Sequence, residues 1–63
     1  MMEINHDKSI SYAEVYIKTD AEKKQFKVYY QGFDPYIEEH DWVDLCGDWY
    51  SEHELEFINI KYN

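Results

Sequence analysis

Polar and apolar residues alternate along residues 9–19, SISYAEVYIKT, with the period of a β-strand. One face of this strand is formed by Ser11, Ala13, Val15 and Ile17. Residues 25–32, QFKVYYQG, alternate in the same way and turn Phe26, Val28 and Tyr30 inward. β-Branched and aromatic residues favour strands, and residues 20–24 form a short polar link between the two segments. The pattern therefore predicts a β-hairpin.

The segment that follows has the features of a helix. Asp34 followed by Pro35 is typical of an N-cap with proline at the first helical position, and Gly47 is a good C-terminal stop. The predicted inner stripe consists of Tyr36, His40, Val43 and Cys46, widened by Trp42 and Leu45. The acidic side chains of Asp44 and of the following Asp48 would lie at the negative end of the helix dipole, where anions are disfavoured.

Residues 51–62 fit two structures. Ser51 and Glu54 match a capping box, which predicts the start of a helix, whereas the alternation around Leu55 favours a strand. A strand requires a bulge or two buried faces, because the inward parity changes between Phe57 and Ile58. We favour the strand. The expected fold is therefore α+β, a small three-stranded antiparallel sheet in the order β-β-α-β with one helix packed on it.

The chain is short enough to form one domain, residues 1–63, in which residues 1–8 are a candidate for disorder. A domain of this size buries only about 60% of its unfolded surface. Cys46 is the single cysteine, so no intramolecular disulfide adds stability. The core therefore depends on aromatic residues, of which there are seven Tyr, three Phe and two Trp, or on dimerisation.

The net charge of −8 is unevenly distributed. Residues 1–33 carry five acids and five lysines, whereas residues 34–60 carry nine acids and neither lysine nor arginine. Such asymmetry indicates an interaction surface, and the alternative is an acidic face that only keeps the protein in solution.

Several function classes are not expected. Six lysines and no arginine argue against direct nucleic-acid binding. No nucleophile–base spacing, paired metal-ligand motif or cofactor motif is present, so we expect neither an enzyme nor a metal or cofactor site. No basic leader and no run of about 20 apolar residues is present, which predicts no membrane association, and the lone thiol favours the cytoplasm.

The hypothesis that best uses the charge is an inhibitor that binds a basic, nucleic-acid-handling protein by mimicking nucleic acid with residues 34–56. Duplex DNA carries one charge per about 1.7 Å of its axis when both strands are counted. Carboxylates two residues apart on a strand or three apart on a helix lie about 5–7 Å from each other. This interval resembles the spacing of phosphates along one strand of DNA. The Lys-, Ile-, Asn- and Tyr-rich composition suggests an AT-rich genome, such as that of a phage or mobile element. The alternative is a homodimeric structural or interaction module. The predicted partner-binding residues are Glu38, Glu39, Asp41, Asp44, Asp48, Trp49, Tyr50, Glu52, Glu54 and Glu56.

Overall fold

A computed structural model describes residues 3–63 as a single five-stranded antiparallel sheet. The strands are β1 (Ile10–Ile17), β2 (Phe26–Asp34), β3 (Glu39–Asp44), β4 (Trp49–Ser51) and β5 (Leu55–Tyr62), with a 3-10 turn at Glu52–Glu54. β1 to β4 follow one another across the sheet, and β5 returns to pair with the other side of β1. Met1 and Met2, where the segment expected to be disordered begins, lie outside the described residues.

The hairpin predicted from the alternating pattern is confirmed. β1 and β2 pair antiparallel with Ala13 opposite Val28, and both side chains are fully buried. Val15, on the same face of β1, is also fully buried. Directly opposed residues share a face of an antiparallel sheet, so the inward faces deduced from the period of two supply Ala13, Val15 and Val28 to the core.

The predicted helix is wrong, and with it the α+β class and the three-stranded sheet. Residues 3–63 contain no α-helix, and residues 35–44 instead form a turn followed by β3. Asp34 does not cap a helix, because its Oδ1 accepts the backbone N–H of Tyr36 at 2.9 Å and so closes a local turn. Trp42 is fully buried, whereas Tyr36 and Leu45 of the expected helical stripe are 95% and 79% exposed.

A second local turn occupies the expected end of that helix. Oδ1 of Asp44 accepts the backbone N–H groups of Cys46 at 2.9 Å and Asp48 at 3.0 Å. Gly47 adopts a φ of 88°, a conformation that favours glycine, and Cys46 is exposed rather than part of the core. The acids that a helix dipole would disfavour are therefore the residues that build and flank the β3–β4 turn.

The favoured strand at the C-terminal end is present with its bulge. Oε2 of Glu54 accepts the backbone N–H of Ser51 at 2.8 Å, so the predicted capping box is present. It caps only the three-residue 3-10 turn before β5 and not an α-helix. In the β1–β5 ladder Val15 lies opposite Phe57 and Glu14 opposite Asn59, which leaves Ile58 as the extra residue.

The sheet curls around one small core. Its buried residues are Ala13, Val15, Val28, Trp42 and Leu55. The rings of Trp42 on β3 and Phe57 on β5 meet edge to face at 5.0 Å, although two strands separate them in the sheet. This contact brings β3, β5 and the 3-10 turn around one opening of the core. Within residues 3–63, no helix has the length and apolar character needed to cross a membrane.

Candidate functional site

A cleft of about 490 Å³ opens where the beginning of β3 approaches the beginning of β5. Its apolar lining comes from Ile4, Leu55 and Phe57, which belong to or pack against the core. Four carboxylates share the cleft, namely Glu38, Glu39, Glu52 and Glu56. His40, His53 and Lys18 complete the lining. The cleft thus combines an apolar surface with an excess of negative charge.

Glu52 is the most highly connected of these carboxylates. Its Oε1 accepts the indole N–H of Trp42 at 3.0 Å and lies 2.8 Å from Nε2 of His6. The His6 and Glu52 side chains are only 25% and 23% exposed. Residues from the N-terminal segment, β3 and the 3-10 turn therefore meet at one carboxylate oxygen.

Two imidazole rings stack beside that carboxylate. The rings of His6 and His40 are nearly parallel, at 10°, with their centroids 3.7 Å apart. The hydroxyl of Tyr30 lies 2.7 Å from Nδ1 of His40. Burial, followed by the negative charges of Glu52 and Asp41, raises the pKa of Tyr30 above its usual value. The Tyr30 hydroxyl therefore keeps its proton at neutral pH and remains a hydrogen-bonding partner of His40.

Glu39 forms a separate pair with His53 at the exposed rim. Oε1 of Glu39 lies 2.7 Å from Nδ1 of His53, whose side chain is 68% exposed. The hydrogen bond with His53 lowers the pKa of Glu39, against the opposing effect of partial burial. Solvent screens so exposed a pair, and it contributes little to stability.

The structure brings together four of the predicted partner-binding residues in the cleft: Glu38, Glu39, Glu52 and Glu56. Asp41 and Trp49 lie on the outer face of the sheet, since they pair with Ser51 and Val43 on either side of the buried Trp42. Asp48 lies exposed in the β3–β4 turn, and Glu54 holds the 3-10 turn.

Asp44 and Tyr50 are occupied with one another. The Tyr50 hydroxyl donates to Oδ2 of Asp44 at 3.0 Å. Burial and the bond to Asp44 raise the pKa of Tyr50 to about 12. Partial burial opposes ionisation of Asp44, but the hydrogen bonds from Asp48, Tyr50 and Cys46 outweigh it and hold the pKa of Asp44 below its usual value. This pair stabilises the β3–β4 hairpin.

The carboxylate spacings expected of a nucleic-acid mimic are not present. Asp41 and Asp44 lie three residues apart on a strand, and therefore on opposite faces, rather than on adjacent turns of a helix. Glu52 and Glu54 belong to the 3-10 turn and only Glu56 to β5, so the three do not form a row along one strand.

Sequence reasoning missed His6 and Tyr30 as members of this site. His6 falls in the segment considered for disorder, and it lies 46 positions before Glu52 in the sequence. No local pattern reports so distant a contact, because it depends on how the sheet curls. Comparisons with protein-family models, with curated proteins and with solved structures found no match to this chain.

Proposed function

We propose that this chain is a non-catalytic binding protein whose acidic cleft takes a basic segment of a partner protein. The observation that carries the proposal is the convergence of Glu38, Glu39, Glu52 and Glu56 on one cleft that also has an apolar lining. Part of the excess negative charge of residues 34–60 would then bind the partner in this cleft.

The chemistry of the cleft suits lysine and arginine side chains. These side chains have an apolar stem and a charged head, so the stem can pack on Ile4 and Phe57 while the head meets the carboxylates. A cleft lined mainly by charges of one sign, here four carboxylates against the one lysine Lys18, concentrates the field and speeds the encounter with an oppositely charged partner. Glu38 and Glu56 are exposed and supply the most accessible charges.

A protein that handles nucleic acid is the partner class that we favour, since such proteins contact phosphates through lysine and arginine side chains. The chain would act as an inhibitor by binding a basic segment that otherwise contacts nucleic acid, as expected of a phage or mobile-element antagonist. Its net charge of −8 supports long-range attraction to such a surface.

Binding of a fluorescein-labelled oligo-arginine peptide, followed by fluorescence anisotropy, tests the cleft. The test variant is Glu38→Lys with Glu56→Lys, and the control is Glu22→Lys with Asp48→Lys. All four residues are exposed, and each double variant changes the net charge from −8 to −4. We expect the cleft variant to lose more than about tenfold in affinity and the control only a few-fold. Equal losses would assign the binding to net charge and contradict the proposal.

Salt dependence and competition test the partner class. Affinity for the peptide should fall steeply from about 50 to about 500 mM salt, because exposed charges are screened. Proteins captured from a host lysate should then be purified and bound to labelled DNA or RNA. Displacement of the nucleic acid by the wild-type chain, and not by the cleft variant, supports inhibition by occupation. If the captured protein binds the nucleic acid and the wild-type chain at the same time, inhibition by competition is contradicted.

The free edge of β5 favours a homodimeric module as a second candidate function. Within residues 3–63, this eight-residue strand pairs only with β1, and Ile58 is 40% exposed on it. An unpaired edge is a template for adding a second strand. Sedimentation velocity should then detect a dimer that persists at high salt, and a monomer at all accessible concentrations would contradict this candidate.

A further inference from the structure

We propose that His6, His40 and Glu52 form a binding site for one divalent transition metal ion of the zinc class. Each residue offers one ligand atom, and these atoms all lie within 4.8 Å of one another. The three come from separate parts of the chain, namely the N-terminal segment, β3 and the 3-10 turn. The inference does not rest on the basic-partner proposal, although Glu52 belongs to both sites.

The donor set selects the class of ion. Two imidazole nitrogens and one carboxylate oxygen suit Zn²⁺, Co²⁺, Ni²⁺ or Cu²⁺, whereas Mg²⁺ and Ca²⁺ prefer oxygen ligands alone. Zinc sites with three protein ligands of this kind leave a fourth position to water. His40 and Glu52 also line the cleft, so the fourth position would be reached from there.

Neighbouring side chains already supply the hydrogen bonds that orient metal ligands. A histidine bound to a metal through one ring nitrogen commonly donates the other N–H to a neighbouring acceptor. The Tyr30 oxygen is placed to accept from Nδ1 of His40, which leaves Nε2 for the ion. The indole N–H of Trp42 holds Oε1 of Glu52 and thereby orients the carboxylate, whose Oε2 remains for the ion.

Binding requires the ligands to rearrange. Ligands of a tetrahedral zinc ion with bonds of about 2.0–2.1 Å lie about 3.4 Å apart, so separations of up to 4.8 Å must close by as much as about 1.4 Å. The 2.8 Å contact between Nε2 of His6 and Oε1 of Glu52 must give way to the ion. The stacked rings of His6 and His40 must also open, because the lone pairs of parallel rings point side by side. His6 is the ligand that can move, since it precedes β1 rather than lying within the sheet. The ion would then fasten the N-terminal segment across the opening of the core.

Titration of the metal-free protein with ZnCl₂, followed by isothermal calorimetry and by NMR of the imidazole rings, tests the site. We expect one ion per chain and perturbed ring signals of His6 and His40, with His53 unchanged. Co²⁺ should give the visible absorption of a four-coordinate site. MgCl₂ at the same concentration should produce neither effect.

The variants are chosen to separate this site from adventitious binding. His6→Ala and Glu52→Gln should each weaken Zn²⁺ binding by at least about tenfold, and Glu52→Gln keeps an acceptor for Trp42. The matched control is His53→Ala, which removes another cleft histidine paired with a carboxylate. Unchanged binding in this control supports the assignment.

Two results would overturn the proposal. Loss of Zn²⁺ binding in His53→Ala but not in His6→Ala would assign the ion to the exposed rim. If the wild-type chain does not bind Zn²⁺ in preference to Mg²⁺, any cation binding belongs to the acidic surface in general and not to the proposed site. The NMR titration uses the wild-type chain, so the histidine rings that bind the ion can be identified even if a variant does not fold. Perturbed signals of His53 with unchanged signals of His6 would likewise overturn the proposal.

Discussion

The indole N–H of Trp42 donates to Oε1 of Glu52 at 3.0 Å, which ties the largest fully buried side chain of the sheet to a carboxylate of the 3-10 turn. A buried donor that loses its partner pays the cost of desolvation with no compensation. Glu52 therefore stabilises the fold before it contributes charge to any partner, and its reversal to Lys would not be a clean test of binding.

Removal of this acceptor should destabilise the protein. We expect Glu52→Ala to lower the free energy of unfolding by about 1–3 kcal/mol, because the Trp42 N–H is left unsatisfied. Glu52→Gln should lose less, since the amide oxygen still accepts the bond. Urea denaturation followed by tryptophan fluorescence measures both, in a Trp49→Phe background because Trp49 is 63% exposed and would dilute the signal. Equal losses in the two variants would contradict a role for the hydrogen bond.

The exposure of two leucines distinguishes the observed sheet from the helix that the sequence predicts. Leu55 is 2% exposed in the core, whereas Leu45, expected on the inner helical stripe, is 79% exposed. Leu55→Ala should lower the free energy of unfolding by about 2–5 kcal/mol, and Leu45→Ala should stay within about 0.5 kcal/mol of wild type. Thermal unfolding monitored by circular dichroism tests the pair. A large loss in Leu45→Ala would favour the helix over β3.

The β1–β2 hairpin could be predicted because its evidence is local. Alternation with a period of two assigns Ala13, Val15 and Val28 to one face without knowledge of the rest of the chain. The parity change at Ile58 is also visible in the sequence and predicts either a bulge or two buried faces, of which the structure has the bulge.

Residues 35–46 could not be assigned correctly from local pattern. The spacing of Tyr36, His40 and Val43 matches a helix. In the strand β3, by contrast, the carboxylate of Asp44 lies on the same face as the buried Trp42, toward the core. A charged residue there is acceptable only because the Tyr50 hydroxyl and the turn amides satisfy it, and those partners exist only once the β3–β4 hairpin has formed. The His6–Glu52 contact depends in the same way on the curled sheet.

The pH dependence of stability should report on Asp44. Because its folded pKa lies below the unfolded value of 3.8, its contribution is present above that pH and is lost as the pH falls through the folded pKa. Asp44→Asn should therefore be less stable than wild type at pH 7, and the difference should shrink below about pH 4. Thermal midpoints measured across this range check the sign. Asp48→Asn in the same turn is the control, and an equal pH profile in both variants would contradict the assignment.

Glu38 combines a strained backbone with a place in the cleft. Its φ of 55° lies in the left-handed region, as does that of Lys23 at 53°, and this region costs a non-glycine residue about 1–2 kcal/mol. Glu38→Gly should raise the free energy of unfolding by about 0.5–1 kcal/mol, after the greater flexibility of glycine in the unfolded chain is subtracted.

The same variant should bind the oligo-arginine peptide more weakly, because it removes a cleft carboxylate. Lys23→Gly is the matched control in the β1–β2 turn. Lys23→Gly should relieve the same backbone strain, but its gain in the free energy of unfolding should be smaller because the Lys23 side chain also lies over the Tyr16 ring. It should not weaken peptide binding. Opposite changes of stability and affinity in Glu38→Gly alone would indicate that Glu38 is retained for binding at the expense of stability. Unchanged peptide affinity in Glu38→Gly would remove Glu38 from the binding surface.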